Sequence, residues 1–198
     1  RAQTISGQEV IVKVIKPGVP ADMAAEIEVR KRIMRSNRPA AELIDSVAAN
    51  FLEELDLRHE AAGMERGLVY EDAKLGIRVP RTSTELAPRE HVMVMSLAKG
   101  RPLAKSSEID PRVRAQAVAN VLDKWFSEVM FGTGFFHGDL HPGNIMIEPK
   151  AGKPGFGLTI IDFGGRGELS LEQRKLMLYF FAAMQDAKPA RVLEALSG

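Results

Sequence analysis

Two short runs constrain this chain more than anything else in it. They are His137-Gly138-Asp139-Leu140-His141-Pro142-Gly143-Asn144 and Asp162-Phe163-Gly164. The first is rich in Gly, His and Pro and reads as a loop, with Asp139 and Asn144 five residues apart. The second begins where the apolar run Leu158-Thr159-Ile160-Ile161 stops, so Asp162 stands at the end of a buried strand. The spacing predicts that Asp139 and Asn144 face the same side of a cleft and that Asp162 joins them. Phosphoryl chemistry on ATP asks for this set: one carboxylate to orient the nucleophile, and further oxygen atoms to hold magnesium against the phosphates. Each run alone has a plainer explanation, since H-G-D is commonly a turn and D-F-G ends many strands. Their occurrence together, in this order and behind a strand, points to Asp139 as the catalytic residue and to Asn144 and Asp162 as magnesium ligands.

A lysine and an acidic helix extend the pattern. Lys13 interrupts the apolar strand Val10-Ile11-Val12-Lys13-Val14-Ile15, so it must reach solvent, a carboxylate or a ligand. Taken alone it reads as an outward-facing strand lysine. Beside the loop it reads as the cation that meets the α- and β-phosphates, with a helix glutamate as its partner. Glu60, in Glu54-Leu55-Asp56-Leu57-Arg58-His59-Glu60-Ala61, is the natural candidate for that glutamate. Glu54 and Asp56 lie a turn or more earlier as two additional acids, whereas Glu53 reads as a solvated residue.

The remaining elements fit an α+β fold. Residues 8–15, 77–82, 91–95, 144–147 and 158–161 read as strands, with turns at Ser6-Gly7 and at 152–155. Residues 21–36, 40–70, 110–131 and 171–184 read as helices, the second from Leu43, Val47, Phe51 and Leu55 recurring every fourth residue. Asp110-Pro111 supplies a cap and a first-turn proline. Trp125, Phe126, Phe131, Phe135 and Phe136 are expected in the core of the helical half, as is the 171–184 helix pattern. His137 and His141 are expected to brace the loop through hydrogen bonds. The domains expected are an N-lobe over residues 1–97 and a C-lobe over 98–198. Lys plus Arg number 27 and Asp plus Glu 26, and a net charge of +1 selects no polyanion, so nucleic acid is not an expected partner. There is no cysteine, which excludes disulfides and thiolate metal sites.

The runs V-I-V-K-V-I-K-P-G-V, E-L-D-L-R-H-E-A, F-F-H-G-D-L-H-P-G-N and D-F-G together resemble the UbiB/ADCK (AarF-like) family of atypical kinase-like proteins. The resemblance covers most of the chain, and the E-x-D acids are its discriminating part. It implies a protein kinase-like two-lobe fold, with a small β-sheet N-lobe that carries a helix insertion and a mostly helical C-lobe. It implies nucleotide binding through Lys13 and Glu60, and places Glu54 and Asp56 as the acids that suppress protein-kinase behaviour. It also implies ATPase or unorthodox kinase activity in support of ubiquinone biosynthesis, a lipid or quinone precursor as partner, and a cytoplasmic location peripheral to a membrane surface. The chain departs from the pattern in several places, among them an Asp139–Asp162 interval a few residues longer than in a typical kinase loop. The family's K-x-G-Q segment and alanine-rich nucleotide loop are absent and are expected before Arg1, as in a truncated chain. Ser96 stands where a hinge glutamate is common. Gly165-Arg166 follows D-F-G where methionine and a small residue are expected.

Two other classes share the loop motif. One is a nucleotide-gated scaffold, in which ATP switches affinity for a lipid or a protein partner. The other is a small-molecule phosphotransferase of the aminoglycoside kinase type, which lacks the E-x-D acids.

Overall fold

The computed structural model describes residues 1–33, 48, 55–150 and 155–185. The described chain divides into two compact units. The first comprises Arg1–Glu65, Pro80–Ala98 and Ile161–Gly165; the second comprises Arg66–Val79, Lys99–Ile160 and Arg166–Gly198.

In the first unit, β1 (Ala2–Gln3), β2 (Glu9–Val14) and β4 (Val92–Ser96) form an antiparallel sheet in the order β1-β2-β4. The β1–β2 hairpin turns at Gly7, whose φ of 87° suits a residue without a Cβ. Its closing bonds run from the Thr4 amide to the Gln8 carbonyl and from the Gly7 amide to the Thr4 carbonyl. Register then places Lys13 opposite Met93, a residue only 1% exposed. Helix α1 (Val19–Ile33) follows β2 and buries none of its residues. Helix α2 (Leu57–Arg66) buries Leu57, Glu60, Ala61, Gly63 and Met64 along one face.

The periodicity over 40–70 predicts one continuous helix, and the structure corrects its described part. Residues 55 and 56 are not helical, α2 starts at Leu57, and Gly67–Tyr70 is a separate 3₁₀ turn. The cause is local. The Asp56 carboxylate accepts the Arg58 amide at 2.9 Å and the Asp56 carbonyl accepts the His59 amide at 2.9 Å, so Asp56 caps the start of α2. The Leu43, Val47 and Phe51 stretch lies outside the described residues.

The second unit holds the four-stranded sheet β3-β8-β7-β5, built from β3 (Ile77–Arg78), β5 (Arg101–Pro102), β7 (Ile145–Pro149) and β8 (Phe156–Ile160). A two-stranded ribbon pairs β6 (Phe135–His137) with β9 (Arg166–Glu168). The strand expected over 77–82 is only two residues long. Beyond it Thr82 makes an isolated bridge to Met95 in the first unit. The turn expected at 152–155 lies outside the described residues apart from Gly155, whose carbonyl accepts the Lys150 amide at 3.1 Å.

Helix α3 (Pro111–Phe131) starts as its sequence predicts: Pro111 occupies the first turn and the Asp110 carboxylate accepts the Arg112 amide at 2.7 Å. It buries Ala117, Val121, Val129 and Met130. Phe126 and Phe131, expected in the core, are 38% and 69% exposed. Phe126 meets the rings of Phe131 and Phe181 at centroid distances of 6.2 and 6.0 Å, a surface cluster that covers it only in part. Helix α4 (Leu171–Gln185) departs further from expectation. Of its residues only Ala183 is buried, while Leu171, Tyr179 and Met184 are each more than half exposed. Phe135 at 1% exposure and Phe163 at 0% do belong to the interior.

Candidate functional site

The first unit gathers three charged side chains. Lys13 projects from the penultimate position of β2, and its Nζ donates to Glu60 Oε1 at 2.8 Å and Oε2 at 2.6 Å. A third bond of 3.3 Å reaches Asp162 Oδ1. Glu60 sits one turn into α2 and is 5% exposed. The helix start that places it is fixed on two sides. Asp56 caps it, and the Leu57 amide donates to the Glu90 carbonyl at 2.8 Å, just before β4. Asp162 follows β8 with φ 66°, a left-handed conformation that non-glycine residues seldom adopt but that aspartate tolerates better than most. Strain of this kind concentrates where a side chain must be aimed. Here the next residue, Phe163, is completely buried and anchors the turn.

Burial penalises both members of the Lys13–Glu60 pair, but unequally. For Lys13 burial pulls the pKa down, and the Glu60 hydrogen bond and charge, followed by Asp162, more than reverse it, leaving the lysine above its ordinary value. For Glu60 burial is the largest influence and pushes the carboxyl up. The Lys13 bond and charge offset part of this, and the Asp162 charge adds to the rise. The lysine side chain keeps 37% exposure and has two carboxylates, whereas the glutamate has lost its water and has one cation.

Asp56 is differently engaged. The Arg58 side chain donates from Nε to both carboxylate oxygens at 2.9 and 3.0 Å and from Nη2 to Oδ2 at 2.6 Å. That clamp holds its carboxyl down at about 2, against the opposing effect of burial, with the Arg58 amide and charge adding to the lowering. The structure therefore shows Asp56 as a helix cap neutralised by Arg58. Glu54, the other acid of that motif, lies outside the described residues.

The second unit holds the loop. His137 ends β6 and is 2% exposed. Its Nδ1 accepts the Asp139 amide at 3.2 Å, and its carbonyl accepts Trp125 Nε1 at 3.2 Å. Beyond it the chain folds on itself: the His141 amide donates to the Asp139 carbonyl at 3.0 Å and the Asn144 amide to the His141 carbonyl at 2.9 Å. Asn144 Nδ2 donates to the same Asp139 carbonyl at 3.0 Å. His141 Nδ1 accepts the Gly143 amide at 2.9 Å, and its Nε2 lies 3.7 Å from Asp139 Oδ2. Each histidine takes a backbone amide of the loop at Nδ1. Both therefore brace the loop as expected. The Asp139 side chain itself is 67% exposed.

Two supports escaped sequence reasoning. Tyr70, fully buried, donates its hydroxyl to the Phe135 carbonyl at 2.6 Å and accepts from the His137 backbone. Burial drives its phenol far up, so it stays protonated and donating. Trp125 was expected as core alone but also donates to the loop. A buried tyrosine hydroxyl or indole N–H needs a partner, and that requirement was the available signal.

With Nδ2 committed to the Asp139 carbonyl, the amide oxygen of Asn144 is the atom left for a ligand. Asp162 supplies a carboxylate. Each is, by its own chemistry, a hard oxygen donor of the kind magnesium takes. Among the described residues no group of three or more His, Cys, Asp or Glu forms a metal cluster.

This architecture, a small sheet whose lysine meets a helix glutamate followed by a braced Asp/Asn loop and a D-F-G strand end, defines a kinase-like protein. A solved Mycobacterium tuberculosis structure, Rv3197 in complex with erythromycin, shares the fold with a TM-score of 0.66 over 97% of this chain and 49% of that one, at 21% identity. Residues 1–196 match the ABC1 atypical kinase-like domain, and the chain belongs to that family. Among its relatives are an uncharacterized M. tuberculosis protein, 30% identical over 98% of this chain and 41% of its own length, and the probable protein kinase UbiB of Aeromonas salmonicida, 28% identical over 96% and 36%. The AarF domain-containing protein kinase 1 of Xenopus laevis is 30% identical over 83% of this chain and 33% of its own. The chain thus spans well under half the length of these curated relatives.

Proposed function

We propose that this protein binds ATP with magnesium and turns it over slowly, as an ATPase or an unorthodox kinase. The observation that carries the reading is the Lys13–Glu60 pair with Asp162 at 3.3 Å. A half-exposed ammonium held by a buried carboxylate is poised to receive anionic oxygen. Lys13 would meet the nucleotide phosphates, Glu60 would hold it in place, and Asp162 and Asn144 would hold magnesium. The metal would neutralise phosphate charge. Asp139, exposed and supported from its own backbone, would orient water or a small hydroxyl group for attack. Positioning and electrostatics would supply the acceleration. Asp56, carried by the clamp of Arg58, would act on this site by fixing the start of α2, and Glu54 would add negative charge that disfavours a peptide acceptor.

The similarity to proteins named UbiB extends the proposal to isoprenoid quinone biosynthesis, with a lipid or quinone precursor as partner at a membrane surface. No described helix is long and apolar enough to cross a membrane. The test is Asp139→Ala: magnesium-dependent nucleotide binding stays within about threefold of the parent while phosphate release disappears. Equal turnover in parent and variant rejects the role given to Asp139.

A further inference from the structure

Wholly within the second unit, a cavity of about 600 Å³ opens beside the Asp139 loop. Its size is that of a small-molecule site. The 3₁₀ turn Leu103–Lys105 makes one wall, the first two turns of α3 make another, and the loop residues His141 to Gly143 make the third. The walls are tied together: the Ala104 amide donates to the Pro142 carbonyl at 3.0 Å, and the Ser106 hydroxyl, fully buried, donates to the Leu103 carbonyl at 2.7 Å. The lining is mostly apolar, from Leu103, Ala115, Val118 and Pro142. Two polar side chains share it, Arg114 and His141, and no carboxylate is among the described lining residues. Arg114 Nε is buried and has no hydrogen-bond partner among the described residues. A guanidinium in an apolar wall without an acid is incompletely matched, and an anion with a hydrocarbon body would match it.

We propose that this cavity is a binding site for a compact organic anion, an apolar ring or short chain that carries one phosphate or carboxylate. The anionic group pairs with Arg114, and the body lies against Leu103, Val118 and Pro142. Because His141 and Pro142 belong to the loop that supports Asp139, an occupied cavity touches that loop from its own side. The inference goes beyond the nucleotide reading and does not depend on it, since it concerns a second ligand and is read by binding alone.

The test titrates the full chain with 1-naphthyl phosphate, with 1-naphthol as the body alone and inorganic phosphate as the head alone, followed by fluorescence or calorimetry. The parent is expected to bind 1-naphthyl phosphate at least tenfold more tightly than either part. Arg114→Gln is expected to lose about tenfold for the phosphate ester and to bind 1-naphthol unchanged. Ala115→Trp, at an exposed helical position, keeps the charge and fills the mouth, and is expected to weaken the ester and the naphthol together. It also serves if Arg114→Gln fails to fold. Equal binding of the ester by parent and Arg114→Gln overturns the proposal. So does inorganic phosphate binding as well as the ester, or no binding by the parent at millimolar ester. Competitive displacement of the ester by magnesium-ATP also overturns it, because the ester would then be reporting the nucleotide site.

Discussion

Lys13 and Asn144 are held in place by different physics. Lys13 depends on charge: one ion pair, one member of it 5% exposed, with a second carboxylate nearby. Asn144 depends on a mesh of neutral hydrogen bonds, in which the Asp139 carbonyl, the His137 and His141 rings, Trp125 and Tyr70 support one another. A buried ion pair is costly to form and costly to break, since removing one partner strands the other. A mesh shares its load, so no single deletion exposes a buried charge. The first arrangement leaves the lysine half-exposed on a buried anchor, and the second lets a loop hold its shape while its carboxylate faces outward.

The largest expected effect removes the more exposed partner and strands the buried one. Lys13→Met leaves Glu60 without a cation and beside Asp162, and should destabilise the chain by about 3 kcal/mol at neutral pH in urea denaturation. Glu60→Gln should cost less, about 1–2 kcal/mol, because Lys13 keeps Asp162 and a path to water. The reverse ranking would mean that the lysine, not the glutamate, is the dependent member. The pH response sharpens this. Burial raises the Glu60 carboxyl, so in Lys13→Met the folded state binds a proton more readily than the unfolded chain, and the variant should regain stability as pH falls from 7 toward the ordinary carboxylate value. In the parent, the raised Lys13 pKa keeps its stabilisation in place until pH rises through that raised value.

The mesh predicts smaller losses. Tyr70→Phe leaves the Phe135 carbonyl without its donor in a fully buried position, and should cost about 1–2 kcal/mol. Asp56→Ala removes a helix cap, and should cost about 1 kcal/mol. The Asp56 carboxyl is lowered from 3.8 to about 2, so the stability it contributes is in place above the unfolded value and is lost only as pH falls through about 2. An acid titration of parent against Asp56→Ala should therefore converge near that value. The smallest change belongs to Asp139→Ala, whose side chain is two-thirds exposed, with stability expected within about 0.5 kcal/mol of the parent.

What the sequence made legible follows the same division. Lys13 stood out because a charge inside an apolar strand needs a partner, and the structure puts Glu60 there. The loop and the D-F-G end stood out by spacing. The capped start of α2 was missed because the apolar repeat through Leu55 ran on into Leu57 and masked the Asp56 cap, a signal carried by one carboxylate and one amide. Phe126, Phe131 and the apolar residues of α4 read as core because hydrophobicity marks what a residue prefers, not how far its neighbours cover it: Phe126 meets Phe131 and Phe181 and still stays exposed. Tyr70 and Trp125 were hidden for the opposite reason: both are buried enough to pass as packing, and their polar tips brace β6 and the loop.

The central proposal is that Lys13, Asp162 and Asn144 would serve one magnesium-bound nucleotide. Calorimetric titration of ATP into the parent and into Asp162→Asn, each with magnesium and with a chelator, tests it most directly. The account predicts magnesium-dependent binding in the parent and at least a tenfold loss in the variant. Binding that is indifferent both to magnesium and to the substitution would contradict it.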